Sequence, residues 1–287
     1  YNTILIQYNT IQQRMSKPLP QQINNVIHGK KVPPSSAEYL PVYSPSSPAL
    51  SHQPPIAFVA LSSSNDVQTA IQSSKAALPA WSSLTTKARA AIILKFHSLV
   101  KQNATELANL IVLENGKNIN EALADVAKGN ETVEYAASLP QLSQGKIAQV
   151  SSQVSCQDYR TPLGIVASIV PFNFPFMVPM WTLPIALVMG NCIILKPSEK
   201  VPLTMYKTME LLEEAGVPPG VVNMIHGSAE AVNALIDAPE VQAVTFVGSS
   251  PVAKIVKQRC DLLNKRCTAL GGAKNHLIAL EDCDLVD

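Results

Sequence analysis

Three short polar runs, each closing an apolar, β-branched stretch, carry the residue types that could do chemistry in this chain. They are Val170-Pro171-Phe172-Asn173-Phe174-Pro175, Lys196-Pro197-Ser198-Glu199-Lys200 and Phe246-Val247-Gly248-Ser249. In the first, an asparagine stands between two aromatics and is hemmed in by prolines. A loop so stiffened aims the amide N–H₂ at a fixed point, where it can stabilise a developing oxyanion, an effect worth roughly 3–4 kcal/mol in such sites. An asparagine satisfying turn backbone groups is the other reading. In the second run, Glu199 can accept from hydroxyls and Lys196 can donate, which suits the two hydroxyls of an adenosine ribose. The same pair also suits a salt bridge at a helix start. In the third, a strand leaves through Gly248 into a helix N-terminus, whose backbone N–H groups and positive end suit a pyrophosphate. The GxGxxG spacing is missing there, with Ala253 at the next glycine position, and Ser249 also suits a plain N-cap.

Other reactive side chains are less organised. Cys156, Cys192, Cys260, Cys267 and Cys283 are irregularly spaced with no CxxC pair, the pattern of free thiols in a reducing compartment. The histidines lack metal-ligand spacing; His226 and His276 read as packing or turn residues. Phe172 reads as a pocket wall and Trp181 as core. A net charge of +1 with 15% charged residues gives no basic excess for nucleic acid and no acidic tail. The longest apolar stretch, residues 174–189, is interrupted by Pro175, Pro179 and Pro184, so no membrane span is expected.

These runs need elements to position them. Strands are expected at 165–170, 192–195, 221–225 and 243–247, each followed by a helix, with a last strand at 276–280. Such alternation implies parallel strands with right-handed crossovers, an α/β, Rossmann-like doubly wound sheet. Upstream, the spacing predicts a helix capped by Asn65 or Asp66 and running through Leu78. Further helices are predicted from Lys87 to Gln102 under a Thr86 cap, over 104–114 with a stop at Gly116, and over 119–137. Trp81 is expected to pack beneath this helical layer. Residues 146–161 read as a two-stranded hairpin. Ile27-His28-Gly29-Lys30-Lys31 reads as a tight turn between short strands, and the Pro/Ser-rich stretch from Pro33 to Pro55 can hold no helix. Residues 1–24 look like a polar arm with no acidic residue before Glu38. That absence is compatible with the remnant of a mitochondrial transit segment, and equally with an untidy extension.

Taken together and in this order, the three runs resemble the aldehyde dehydrogenase superfamily. Pro79-Ala80-Trp81, Glu114-Asn115-Gly116-Lys117 and Asn191 extend the likeness over about residues 23–287. Where hydrolytic members carry Glu-Leu-Gly-Gly-Lys, this chain has Leu270-Gly271-Gly272-Ala273-Lys274-Asn275-His276. Leucine at the deacylating position cannot activate water. That departure, with Gly-Ala-Lys-Asn-His, is similar to the CoA-acylating methylmalonate-semialdehyde (malonate-semialdehyde) dehydrogenases. A second departure is Asp125-Val126-Ala127-Lys128-Gly129, where that group has arginine in place of Lys128. Lysine keeps the charge but loses the bidentate fork for a substrate carboxylate.

The resemblance implies an NAD-dependent oxidation of a semialdehyde to an acyl-CoA with decarboxylation, CoA being the co-substrate. It implies Asn173 as oxyanion donor, and Val170, Phe172, Lys196, Glu199, Lys200, Ser249 and Gly271 as cofactor contacts. Lys128 would take the substrate carboxylate, and no metal is involved. The nucleophilic cysteine of the family is expected past Asp287, so none of the five cysteines is assigned that role and the chain alone is expected to be inactive. The implied domains are an N-terminal extension (1–24), an NAD-binding domain (25–145 and 162–268), an oligomerisation hairpin (146–161) and the start of a catalytic domain (269–287). Homo-oligomers, dimeric or tetrameric, follow from the hairpin. The mitochondrial matrix follows from the N-terminus, or the cytoplasm if that extension is not a transit segment. The rival expectation is a non-catalytic structural or assembly subunit.

Overall fold

The computed structural model describes residues 21–45 and 54–284. It opens with strands β1 (Gln22–Ile23), β2 (Asn25–Ile27), β3 (Lys30–Val32), β4 (Tyr39–Val42) and β5 (Ala57–Ala60). Helices α1 (Ser64–Ser83), α2 (Thr86–Gln102), α3 (Ala104–Asn115), α4 (Ile119–Ala137) and α5 (Leu139–Leu142) follow. A hairpin, β6 (Ile147–Ser151) and β7 (Val154–Gln157), precedes β8 (Ile165–Ile169), α6 (Met177–Met180) and α7 (Leu183–Val188). The chain then alternates through β9 (Cys192–Lys196), α8 (Leu203–Ala215), β10 (Val222–Met224), α9 (Ala229–Asp237), β11 (Val241–Val247), α10 (Ser250–Leu262) and β12 (Arg266–Leu270).

The main sheet has the order β12-β11-β8-β9-β10-β2-β3. Strands β12 through β10 are parallel, and β2 and β3 add antiparallel at one side. Every residue of β8 and β9 is buried, as expected where helices cover both faces of a parallel sheet. One face packs on α2, α3, α4 and α8 through Phe96, Ile111, Val126 and Leu212. The other packs on α1, α9 and α10 through Ile71, Leu235 and Val256. The chain runs outward from β8 through β9 to β10, then returns to place β11 on the other side of β8. The order therefore reverses between β8 and β11, the position at which open α/β sheets place a ligand crevice at the carboxyl ends of the strands.

Several local expectations need correction. Ser63, not Asn65 or Asp66, caps α1; Asp66 closes a capping box by accepting from Ser63 N at 2.9 Å. The helix continues past Pro79 to Ser83. Its last turn persists because the Arg89 guanidinium collects the carbonyls of Trp81, Ser82 and Leu84. Trp81 is buried in the core shared with the helical layer and donates Nε1–H to Leu187 O at 3.2 Å. Thr85 rather than Thr86 caps α2. Gln22 and Ile23 are strand rather than arm, pairing with β5, while residues 1–20 lie outside the described residues. The last strand is β12, ten residues earlier than expected; its partner edge is β11, and residues 271–280 form no helix or strand. The apolar run 276–280 pairs with no described strand, and Leu277 and Ile278 lie exposed. Trp181 is not core: it is 42% exposed and lines an open cavity of about 770 Å³ with Ala243, Thr245 and Phe246.

The expected turn at His28-Gly29 is present, with φ of 53° and 70°, a two-residue hairpin connection between β2 and β3. The expected hairpin forms its own two-stranded sheet with every residue of both strands exposed.

Candidate active site

The three runs converge. Parallel pairing brings the carboxyl ends of β8, β9 and β11 to one edge of the sheet, so the Asn173 loop lies between the Lys196 segment and the Gly248-Ser249 turn. Residue Leu270 ends β12 beside them, its carbonyl accepting from Gly248 N at 3.1 Å.

Lys196 is the last residue of β9, and its position in a strand buried on both faces explains why its side chain is only 7% exposed. Nζ donates to Pro197 O at 3.2 Å and Glu199 Oε2 at 3.4 Å. Burial pulls the lysine pKa down, and Glu199 pulls it back up by a smaller amount. The Glu199 side chain remains 38% exposed, leaving its carboxylate open to hydroxyl donors. Val170 is buried and donates its N–H to Lys196 O at 3.2 Å, stitching the first two runs together. The Lys200 ammonium lies 5.0 Å from the centre of the Phe172 ring, a second link between them.

At the third run, α10 spans 13 residues, has no acidic residue in its first turn, and begins at the N-cap Ser249. The Ser249 side chain makes no capping bond, so its hydroxyl and the positive helix end are both left for an anion. Glycine is required beside it: a Cβ on Gly248 would come within 2.6 Å of the Phe246 ring. Gly271 crosses the same helix start, where a Cβ would fall 2.9 Å from Ser250 Oγ. Gly272 N donates to that oxygen at 2.9 Å. These residues fit a dinucleotide: an open carboxylate with a buried ammonium on one strand, and an unneutralised helix end with room for close backbone approach on another.

Asn173 is exposed, and its amide makes no hydrogen bond with the described residues. The reading of a buried asparagine satisfying turn backbone is thereby removed. The loop around it is held from outside. Asn115 Nδ2 donates to Phe172 O at 2.8 Å. The Lys117 ammonium sits 3.7 Å from the Phe174 ring centre and pairs with Asp125 at 2.8 Å. Asp125 accepts from Met177 N at 2.7 Å. Asn115 and Lys117 lie in the run Glu114-Asn115-Gly116-Lys117 and Asp125 opens Asp125-Val126-Ala127-Lys128-Gly129, but no sequence signal gives them this task, because the loop they grip is about fifty residues away.

Lys128 projects from α4 into solvent, paired with both Glu131 oxygens at 3.0 Å. His226, just past β10, is fully buried, and neither ring nitrogen has a partner among the described residues. Burial, and secondarily the Lys196 charge, push its pKa down to about 3, so it is neutral at ordinary pH. Glu114 is buried too and accepts from Leu203 N at 2.6 Å, Thr204 N at 2.9 Å and the Thr204 hydroxyl. Burial pushes its carboxyl up to about 7 against the pull of those donors. Cys267 is half-buried, Cys283 is exposed, and burial raises the Cys267 thiol, the opposite of thiolate activation. No described helix is long and apolar enough to cross a membrane.

A model of the aldehyde dehydrogenase family matches residues 32–287. Over 272 residues the chain is 43% identical to malonate-semialdehyde dehydrogenase 1 of Geobacillus kaustophilus, covering 94% of this chain and 55% of that protein. It is 41% identical over 268 residues to malonate-semialdehyde dehydrogenase of Bacillus subtilis strain 168, covering 93% and 54%. The crystal structure of methylmalonate-semialdehyde dehydrogenase from Oceanimonas doudoroffii superposes with a TM-score of 0.85 at 38% identity, covering 89% of this chain and 51% of that one. A Sinorhizobium meliloti 1021 structure described as methylmalonate-semialdehyde dehydrogenase complexed with NAD gives 0.86 at 36% identity, covering 90% and 52%. The chain spans about half the length of the curated relatives it matches. Its α/β architecture is the Rossmann-like fold of the family's NAD-binding domain. The chain belongs to the aldehyde dehydrogenase family and is closely related to its malonate- and methylmalonate-semialdehyde dehydrogenases.

Proposed function

We propose that this chain is the cofactor-binding part, with one catalytic group, of an NAD-dependent, CoA-acylating malonate- or methylmalonate-semialdehyde dehydrogenase. The net reaction is semialdehyde + CoA + NAD⁺ to acyl-CoA + CO₂ + NADH, the carboxylate of the semialdehyde leaving as the CO₂. The observation that carries the reading is Asn173: an amide without a partner among the described residues, on a loop gripped at both sides, at the carboxyl edge of the sheet where the strand order reverses. Its N–H₂ is placed to hold the oxygen of a reacting carbonyl as negative charge develops there.

Lys196 and Glu199 hold the adenosine ribose, and Ser249 with the start of α10 holds the pyrophosphate. Val170, Phe172, Lys200 and Gly271 complete the walls. NAD bound there supplies the hydride acceptor. Leu270 stands where a base would activate water and has none to offer, which favours CoA as acyl acceptor. Lys128 is assigned to the substrate carboxylate, which must then displace the Glu131 pair. We assign residues 25–145 and 162–268 to the NAD-binding domain, 146–161 to an oligomerisation arm and 269–287 to the start of the catalytic domain. The attacking cysteine belongs to a part of the enzyme that this chain does not contain.

The test follows NADH formation in a full-length enzyme carrying this segment, with and without CoA, while identifying the acyl product. Turnover should require CoA, and Leu270→Glu should raise hydrolysis relative to acyl transfer, general-base assistance being worth roughly 10²–10⁴-fold. Equal rates without CoA, yielding free acid, would defeat the CoA-acylating assignment. A second reading, a non-catalytic assembly subunit, is favoured by the hairpin, whose Ile147 and Tyr159 are 74% and 77% exposed. It predicts that the longest natural product of the gene binds itself or a relative and oxidises no aldehyde.

A further inference from the structure

We infer that Lys117 and Asp125 are positioning residues for Asn173, a paired clamp that fixes the backbone from which its amide reaches. This deepens the reading of Asn173 as an oxyanion donor and rests on it. The loop from Pro171 to Phe176 leaves β8 and crosses to α6 with no helix or strand of its own. Two prolines restrict φ at its ends, yet nothing internal to the loop holds the residue between the two aromatics.

The hold comes from the α3–α4 connection. The Phe172 carbonyl, on one side of Asn173, is taken by Asn115 Nδ2. The Phe174 ring, on the other side, lies under the Lys117 ammonium at 3.7 Å, close enough for a cation–π contact. Asp125 joins these holds to the far end of the loop, because its two oxygens go to different places. Oδ2 accepts from Lys117 Nζ, and Oδ1 accepts from Met177 N. The Asp125 side chain is fully buried and that of Lys117 is 15% exposed, so the pair is little screened by solvent.

Helix α4 comes closest to the loop at Gly129, where a Cβ would fall 2.5 Å from the Phe176 ring. With no side chain between them, helix and loop share one rigid frame. Both neighbours of Asn173 are gripped, and Asn173 itself is exposed with its amide unpaired among the described residues. Displacing the Asn173 backbone, from which the amide reaches, therefore requires breaking the Lys117–Asp125 pair or one of the contacts it anchors.

The test uses Lys117→Met, which removes the charge but keeps the stem, and Asp125→Asn, which keeps the acceptor for Met177 N. Lys117→Arg is the conservative control. In the isotope-labelled chain, the Asn173 side-chain amide signal is identified by its loss in Asn173→Asp. It should shift or broaden in both disabling variants and return in Lys117→Arg. In the full-length enzyme, kcat should fall roughly 10–100-fold with little change in the aldehyde KM, as for a group misplaced by about 1 Å. NAD affinity, which rests chiefly on Lys196, Glu199 and Ser249 outside the clamped loop, should change less than about threefold. Should Asp125→Asn fail to fold, Lys117→Met and Asn115→Ala carry the same test. An Asn173 amide signal unmoved in folded variants would overturn the clamp. A signal that moves while turnover is unaffected would uphold the clamp and remove the oxyanion role from Asn173.

Discussion

Replacing Lys196 with methionine should weaken cofactor binding while leaving the fold as stable as before, or more so. The lysine side chain is only 7% exposed, and its protein contacts are long, at 3.2 Å to Pro197 O and 3.4 Å to Glu199 Oε2. Burial lowers its pKa despite the carboxylate, so the folded chain bears a desolvation cost for this charge. Removing one member of a buried ion pair normally strands the other, at about 3–5 kcal/mol. Here the partner is 38% exposed, and water can solvate Glu199 once the ammonium is gone. Methionine fills nearly the same volume, so stability should stay level or rise by up to about 2 kcal/mol. Binding should move the other way. A hydrogen bond to a charged group contributes about 1.5–3 kcal/mol, so losing it weakens the NAD Kd roughly 10–150-fold. Calorimetric titration with NAD and a thermal melt in the same buffer measure both quantities. A Tm lowered by several degrees with an unchanged Kd would refute the reasoning, making Lys196 a structural ion pair and the ribose assignment wrong.

Glu114→Gln keeps one acceptor for Thr204 but turns an N–H₂ toward the Leu203 N–H; an unfolding titration should show a loss of about 1–3 kcal/mol. His226 is held neutral when folded, with its pKa depressed to about 3, so the unfolded chain binds the extra proton and stability falls as pH drops below about 6.5. Urea melts from pH 7.5 to 4.5 should therefore show wild type losing up to about 2.7 kcal/mol more than His226→Leu across that window; parallel curves would contradict it. Val150 and Val154 lie 62% and 50% exposed on the hairpin. Changing both to aspartate should reduce the assembled mass in light scattering and leave NAD affinity unchanged; a mass unaltered by the change would argue against the hairpin as the arm.

The sheet and its binding edge were legible because they rest on short-range signals. Residues 165–170 and 192–195 are buried on both faces and so read as unbroken apolar runs, and the polar residue that ends each run marks the carboxyl edge. Pairing information is not local, which is why β12 was displaced. Arg266, Thr268 and Leu270 face outward while Cys267 and Ala269 face in, an edge-strand alternation that looks polar in one dimension. The later run 276–280 looks more like a strand, yet it pairs with none of the described strands. Trp181 failed for a similar reason, since hydrophobicity alone does not tell a core wall from a cavity wall. At the site, Asn173, Lys196, Glu199 and Ser249 stood out by neighbouring residues. Asn115, Lys117 and Asp125 did not, because a side chain gripping a distant loop leaves no periodicity behind.

Glu114 holds the start of α8, while Asn115 and Lys117 both hold the Asn173 loop, one by the carbonyl of Phe172 and the other by the Phe174 ring together with Asp125. Gly116 sits among them with a left-handed φ of 82°, ending α3 and turning the chain so that all three side chains reach their targets. What this tetrapeptide conserves physically is length. A conservative exchange at any one position disturbs a single anchor, but one inserted residue shifts every anchor after it and moves the chain off the glycine turn. One residue inserted in this connection should therefore cost more than any single exchange within it, and grafting experiments should place their junctions elsewhere.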